Sequence, residues 1–448
     1  MTIYFISLGC DKNLVDSEAM LGTLAKRGYA FTDDREAADI AVINTCCFIN
    51  DAKEESIQSI LETAELKTSG RLRVLIVTGC LAERYREEIQ TEIPEVDAVL
   101  GTAAIDKIAD VVEDVLAGSG RNCFADLNAP QGAHKDGRVV TTAGGYAYLK
   151  IAEGCDKHCT YCIIPHIRGK YRSVPMEALL AEAETLAQAG VRELILVAQE
   201  TTLYGADLYG RKSLPELLRR LCRIEGLQWI RLLYCYPEEI TDELIAVIQS
   251  EDKICHYLDI PVQHASDLVL KRMGRRTTAE DLREIIGTLR RRIPDICLRT
   301  TLITGFPGET QEDYEALYRF VNETEFDRLG VFTYSPEEGT PAALMAEQIP
   351  EAVKVSRRDE LMELQQAIAF EKAQELAEGR PVLDAFIVGR LPEEDVYIAR
   401  TYRDAPDVDG LLFLQADREL ISGTLVKARV TGFHEYDLTG EIYDEFAE

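Results

Sequence analysis

Short apolar runs alternate with stretches of helical period along most of the 448 residues, the pattern of βα units laid into parallel sheets. A first series predicts strands at 3–8, 39–44, 73–78 and 98–100, with helices near 14–27, 52–66, 81–89 and 104–116. It reads as an open parallel α/β domain over residues 1–127. Residues 128–145, with Pro130, Gly132, Gly137, Gly144 and Gly145, have linker composition. A second series follows, with strands at 146–152, 193–198, 230–233, 257–260, 298–303 and 329–334 and helices between them. Six such units over residues 146–375 predict a partial (β/α)6 barrel rather than a closed eightfold one. After a long helix at 351–378, five short runs at 382–388, 395–400, 411–414, 424–431 and 440–443 read as a small antiparallel, OB-like β-barrel over residues 376–448.

Charge narrows the partners. The chain carries 49 basic and 78 acidic residues, a formal net charge of −29, which opposes docking on a phosphate backbone and favours basic proteins. The carboxy-terminal segment from Leu376 has 7 basic and 16 acidic side chains, so no direct RNA binding is expected of its barrel. No apolar stretch reaches the length of a membrane span. The opening residues lack the basic flank and length of a signal peptide. Twelve cysteines are therefore expected as free thiols in the reducing cytoplasm.

Three of them, Cys155, Cys159 and Cys162, are spaced CxxxCxxC directly after the first strand of the second series. Three soft thiolates in one loop suit an iron–sulfur cluster. A cubane cluster normally takes four protein thiolates, so this loop leaves one iron open, much as a catalytic zinc keeps an open position. The flanks Asp156, Lys157, His158 and Thr160 are too polar for a core strand of small buried cysteines. In the first domain Cys10, Cys46 and Cys80 each follow a predicted strand. The carboxyl ends of parallel strands are where open α/β sheets bind ligands, so these thiols either converge on a second cluster or are unrelated structural residues. Spacing alone leaves Cys47 as a rival to Cys46. Cys222, Cys235, Cys255 and Cys297 lie in helical or apolar strand segments and read as inert buried thiols, and Cys123 is uninformative.

The loop Cys155-xxx-Cys159-Thr-Tyr-Cys162-Ile-Ile-Pro resembles that of the radical S-adenosylmethionine enzymes. Gly9-Cys10, Asn44-Thr45-Cys46 and Thr78-Gly79-Cys80 resemble the amino-terminal domain of their methylthiotransferase branch. The likeness extends through Tyr204-Gly205, Pro261-Val262-Gln263-His264, Gly305 to Thr310 and Tyr334 to Thr340, and ends in what looks like a TRAM barrel. It implies two [4Fe-4S] clusters, and it selects Cys46, which follows Asn-Thr directly. By resemblance, the open iron on Cys155, Cys159 and Cys162 chelates S-adenosylmethionine, and reductive cleavage yields a 5′-deoxyadenosyl radical. The auxiliary cluster on Cys10, Cys46 and Cys80 supplies or carries sulfur that receives a methyl group. Gln199 and Glu200 stand where related enzymes hold the methionine amino group, and Gly305 would admit the adenosine. A low-potential electron donor of flavodoxin or ferredoxin type and a sulfur source are implied partners.

Substrate choice divides this family between an adenosine in transfer RNA and an aspartate of small-subunit ribosomal protein 12. Gln263-His264-Ala265-Ser266 and the stretch from Arg400 to Gly410 look like the ribosomal-protein branch. Val174 departs from the arginine often found after Arg172-Ser173. The acidic barrel suggests docking of the basic protein on Asp404, Asp407 and Asp409, with Glu435, Asp437 and Glu441 nearby. The transfer-RNA enzyme is the runner-up, which a basic face would favour. An iron–sulfur carrier or scaffold is the reading of another class, but it has no need of an open iron or a large barrel.

Overall fold

The computed structural model describes residues 1–130, 137–392, 395–416 and 418–443. Part of the predicted linker, Gly132 included, lies outside them. The amino-terminal sheet has five parallel strands in the order Ala30–Phe31, Thr2–Ser7, Ile40–Thr45, Val74–Gly79, Ala98–Leu100. The two-residue edge strand Ala30–Phe31 was too short to leave a pattern in the sequence. Ile40–Thr45 and Val74–Gly79 are buried throughout, as strands covered on both faces must be. Ile60, Ala64 and Leu81 pack on one face, Met20, Leu24, Ile108 and Val112 on the other. The helix expected at 81–89 is two, Cys80–Tyr85 and Glu87–Glu92, because Arg86 adopts a φ of +45° between them. In the order 2-1-3-4-5, the direction in which strands are added reverses between Thr2–Ser7 and Ile40–Thr45, and ligands bind at the carboxyl edge of such a switch point.

The second sheet has six parallel strands in sequence order, Tyr146–Lys150, Glu193–Val197, Trp229–Leu232, Ile254–Asp259, Cys297–Thr304 and Arg328–Thr333, with unjoined ends. It is the partial barrel. Strand alternation sends Leu149, Leu194, Leu196 and Leu258 to the helices and Tyr146, Tyr148, Ile195, Val197 and Tyr257 to the concave face. Two of its helices open with capping boxes, Thr278 with Asp281 and Thr310 with Asp313. The concave face packs against Val15 of the first domain and Phe386 and Ala405 of the third. The described part of the linker is pinned as well: Arg138 is paired with Glu18 and Glu182, both at 2.8 Å.

Glu351–Gly379 is one helix of 29 residues leading to a closed five-stranded barrel. The barrel is not wholly antiparallel: Leu412–Gln415 pairs in parallel with Asp437–Ile442. The acidic turn needs a larger correction. Asp404 and Asp409 are no docking surface; both carboxylates are buried where the barrel seats on the six-stranded sheet. Asp404 pairs with Arg328 at 2.6 Å, and Asp409 accepts from the Tyr257 hydroxyl at 2.7 Å and the Ala405 amide at 2.9 Å. Only Asp407 of the three is exposed, and it accepts from the Tyr146 hydroxyl at 2.9 Å.

The centre of this seat is ionic. Glu193 receives Arg231 and Arg400, each at 2.7 Å, with all three side chains at most 3% exposed. Burial alone would raise the Glu193 carboxyl, but the two guanidinium groups outweigh it and hold the group below the usual carboxylate range. Glu193→Ala strands two buried cations, so unfolding free energy should fall by about 3–5 kcal/mol in chemical denaturation. The native pairing is fully present above the ordinary carboxylate value of about 4.3 and fades as pH falls through the depressed folded value. The stability difference between the parent and Glu193→Ala should shrink on that acid side.

Candidate active site between two parallel sheets

The carboxyl ends of the two parallel sheets face each other. Asp11 accepts from the Tyr234 hydroxyl at 3.1 Å, Lys12 lies 3.3 Å from the centre of that ring, and Glu337 pairs with Arg84 at 2.9 Å and Lys53 at 3.4 Å. Both cysteine sets stand at these ends.

Cys10 is the N-cap residue of helix Asp11–Lys26, and its side chain caps nothing. Cys46 follows Ile40–Thr45, so Cys10 and Cys46 flank the switch point, and Cys80 opens the helix after Val74–Gly79. The preceding Asn and Thr fix these strand ends. Asn44 Nδ2 donates to the Asn13 carbonyl at 2.8 Å, Asn13 Nδ2 to the Thr45 carbonyl at 2.9 Å, and Thr45 Oγ1 to the Thr78 carbonyl at 2.5 Å. The three thiols sense one another. Burial drives the Cys80 thiol far up, Arg168 opposes it, and Cys47, Cys10 and Cys46 add to it. Burial is also the main cause that raises Cys46. Cys47 packs in the apolar core between Ile60 and Leu81, and burial pushes its thiol up to about 11.

In the barrel loop Cys155 receives the Lys157 amide at 3.4 Å, and its own amide bonds the Gly169 carbonyl at 3.1 Å. Burial pushes Cys155 up to about 12, with Cys159 adding to it. Cys162 is driven higher, first by burial and then by Cys159 and Cys155. Metal ligation requires thiolates, so loading either set must displace protons. Among the described residues no three His, Cys, Asp or Glu side chains meet closely enough to hold a single metal ion. The thiolates of a cubane each hold a different iron and stand further apart than ligands of one ion.

Buried polar atoms without a hydrogen-bond partner collect at the same strand ends: Gln199 Oε1, Glu200 Oε2, Glu238 Oε2, Tyr334 OH and Ser335 Oγ. Such atoms ask for a polar ligand or water, and this donor and acceptor set fits the amino, carboxylate and hydroxyl groups of S-adenosylmethionine. Burial pushes the Glu200 carboxyl up to about 7, and Lys157 approaches it to 3.9 Å. At Gly305 a Cβ would lie 2.2 Å from Lys354 Cγ, so the glycine makes room for the lysine stem. Val174 is buried in the helix-side core, where its apolar side chain has no polar partner to offer.

Sequence reasoning missed the charged residues between the two thiol sets. Arg168, 2% exposed, donates from Nη1 to Asp16 at 2.6 Å and Glu153 at 3.2 Å. Its Nη2 donates to Asn13 Oδ1 and, at 3.4 Å, to Cys80 Sγ. Lys150 bonds Asp16 and, at 2.7 Å, Glu153, whose other oxygen receives Gln199 at 2.7 Å. The only available signal was position, since Arg168 closes the run Ile-Ile-Pro-His-Ile-Arg after Cys162.

Known proteins agree with this architecture. Residues 2–101 match the uncharacterized protein family UPF0004, residues 149–321 the radical SAM superfamily and residues 382–442 the TRAM domain. In fold, the chain is similar to the radical S-adenosylmethionine methyltransferase TsrM from Kitasatospora setae, with a TM-score of 0.54 at 13% identity over 87% of this chain and 80% of that one. Fold and site thus define a radical SAM enzyme that carries iron–sulfur and S-adenosylmethionine cofactors. The chain is also 62% identical, over 98% of its length and 99% of the relative's, to the ribosomal protein uS12 methylthiotransferase RimO of Lachnoclostridium phytofermentans. It is 51% identical to the protein of that name from Acetivibrio thermocellus, over 98% of each chain. The chain belongs to the RimO family of methylthiotransferases.

Gly79, at φ +92°, tests the strand-end geometry: a Cβ would lie 2.3 Å from Asn44 Oδ1 and 2.4 Å from the Thr45 carbonyl. Gly79→Ala should cost about 1–3 kcal/mol in strain alone. It should also cut iron bound through Cys10, Cys46 and Cys80 while sparing the Cys155 loop, as read by iron analysis of single-site backgrounds.

Proposed function

We propose that this chain methylthiolates ribosomal protein uS12, at the β-carbon of an aspartate, and that it does so in the cytoplasm. The observation that carries the reading is the opposition of two three-cysteine sets at facing strand ends, in a chain nearly two-thirds identical to a uS12 methylthiotransferase over its whole length. Among the described residues no helix is long and apolar enough to cross a membrane.

Cys155, Cys159 and Cys162 hold one [4Fe-4S] cluster, and Cys10, Cys46 and Cys80 the other. With S-adenosylmethionine bound, these groups supply the hydrogen-abstracting radical chemistry, the sulfur and the methyl group, which no side chain can provide. The protein's own residues orient and shield. Gln199 and Glu200 offer oxygens without a hydrogen-bond partner to the methionine amino group, and Lys157, held among Glu200, Glu238 and Glu239, braces the cluster loop. Seating the third domain on the concave face, at the amino ends of the strands, closes the barrel there against water. Electrons come from a flavodoxin- or ferredoxin-type donor, and sulfur from an external source. The exposed acids Asp407, Glu435 and Glu441 present a surface suited to a basic protein and unsuited to RNA.

Anaerobically reconstituted protein should carry about eight irons, and Cys155→Ala/Cys159→Ala/Cys162→Ala about four; Cys47→Ala should match the parent. Cys159→Ala should abolish 5′-deoxyadenosine formation, whereas Cys46→Ala should retain some of it and lose sulfur insertion. Mass spectrometry of uS12 after reaction decides the substrate. Methylthiolated transfer RNA with unmodified uS12 would reject the assignment.

Neutralising Glu435 and Glu441 together should weaken uS12 binding and flatten its salt dependence, without changing 5′-deoxyadenosine yield. Titrations at two ionic strengths read both effects.

A further inference from the structure

The mechanism so far leaves one buried group unused. Arg168 arrives on the short helix Ile164–Arg168, immediately after the barrel's cysteine loop, yet its guanidinium reaches into the other domain. Four ionic side chains meet there, Asp16, Lys150, Glu153 and Arg168, and none is more than 7% exposed. Two carboxylates and two cations balance. Pairing alone would be satisfied by the bonds from Arg168 Nη1 to Asp16 and Glu153. The other nitrogen, Nη2, is aimed by Asn13 Oδ1 onto Cys80 Sγ at 3.4 Å. Asn13 itself is fully buried and fixed by its bonds to the Leu8 and Thr45 carbonyls at 3.0 and 2.9 Å.

We infer that Arg168 is a positioning residue of the auxiliary centre, donating an N–H···S hydrogen bond to Cys80 and setting the reduction potential of the cluster held there. The inference rests on the assignment of that cluster to Cys10, Cys46 and Cys80. A planar guanidinium can bond a carboxylate and a sulfur at once from its fork of donors, which a lysine cannot reproduce. The potential of an iron–sulfur cluster follows net charge and hydrogen bonds to its sulfurs. A buried cation with an N–H on a ligand sulfur favours the reduced, more negative state. Because Arg168 is carried by the barrel loop, the auxiliary centre acquires this setting only when the two domains are docked. The same guanidinium also bonds Glu153, which holds Gln199, so one charged group orients a ligand of one centre and a side chain of the other.

The test uses the full-length Cys155→Ala/Cys159→Ala/Cys162→Ala protein, reconstituted anaerobically so that only the auxiliary cluster is present, with its potential read by EPR-monitored redox titration. Adding Arg168→Met should preserve iron content and move the midpoint to a more negative value. Because that change leaves an excess buried carboxylate, Arg168→Met/Glu153→Gln restores the charge balance and isolates the lost N–H···S bond; its shift should have the same sign and be smaller. In the reciprocal protein, with Cys10, Cys46 and Cys80 replaced by alanine, Arg168→Met should shift the barrel cluster less. An unchanged auxiliary potential in whichever Arg168 variant loads iron, or equal shifts at both clusters, overturns the inference. Absence of iron from the parent background would instead overturn the auxiliary-cluster assignment on which it rests.

Discussion

Mutual neutralisation of Asp16, Lys150, Glu153 and Arg168 is the constraint on which the arrangement depends. Each ion costs several kcal/mol to bury alone, and Asp16 meets Lys150 and Arg168 only when the first sheet and the barrel loop are docked. Asp16 belongs to the first domain, and the other three to the second. Separating the domains would leave unlike numbers of charges on the two surfaces. The docked state is thereby specified in register and not only in proximity, since a guanidinium fork donates to its carboxylates in few orientations.

The same logic recurs at the opposite end of the partial barrel. There Arg231 and Arg400 close on Glu193, and Arg328 on Asp404, around an apolar contact of Trp229 with Phe386 at 4.5 Å between ring centres. The six-stranded sheet therefore has its helices on the convex side and other domains on the concave side. An incomplete barrel is stable because its unfilled interior is finished by neighbours.

Regular elements were legible because they depend on local period. Buried parallel strands and amphipathic helices each leave a repeat that needs no knowledge of tertiary contacts, and strand ends placed all six cysteines at carboxyl edges. What the sequence could not disclose depended on contacts between distant residues. Asp404 and Asp409 read as a solvated acidic turn until Arg328 and Tyr257, on other strands, are seen to face them. The packing at Gly305 was hidden because the lysine beside it lies 49 positions later. Arg168 was silent for the same reason, since apart from Glu153 its side-chain partners come from helix Asp11–Lys26 and from Cys80. The parallel pair in the small barrel is invisible to period, because alternation does not encode strand direction.

The long helix Glu351–Gly379 has a bearing on how the chain is made. It runs along the last barrel strand, with Lys354 bonded to the Tyr334 carbonyl at 2.8 Å beyond one end of that strand and Gln365 to the Phe326 carbonyl at 2.8 Å before the other. Arg328–Thr333 is the outer strand of a sheet that never closes, the kind of border along which nascent chains pair with one another. On the ribosome, this border is completed before the helix that shields it has emerged. The interval between the two is when a polypeptide of this topology is most exposed to misassembly with its neighbours, and a helix encoded directly after the strand keeps that interval short.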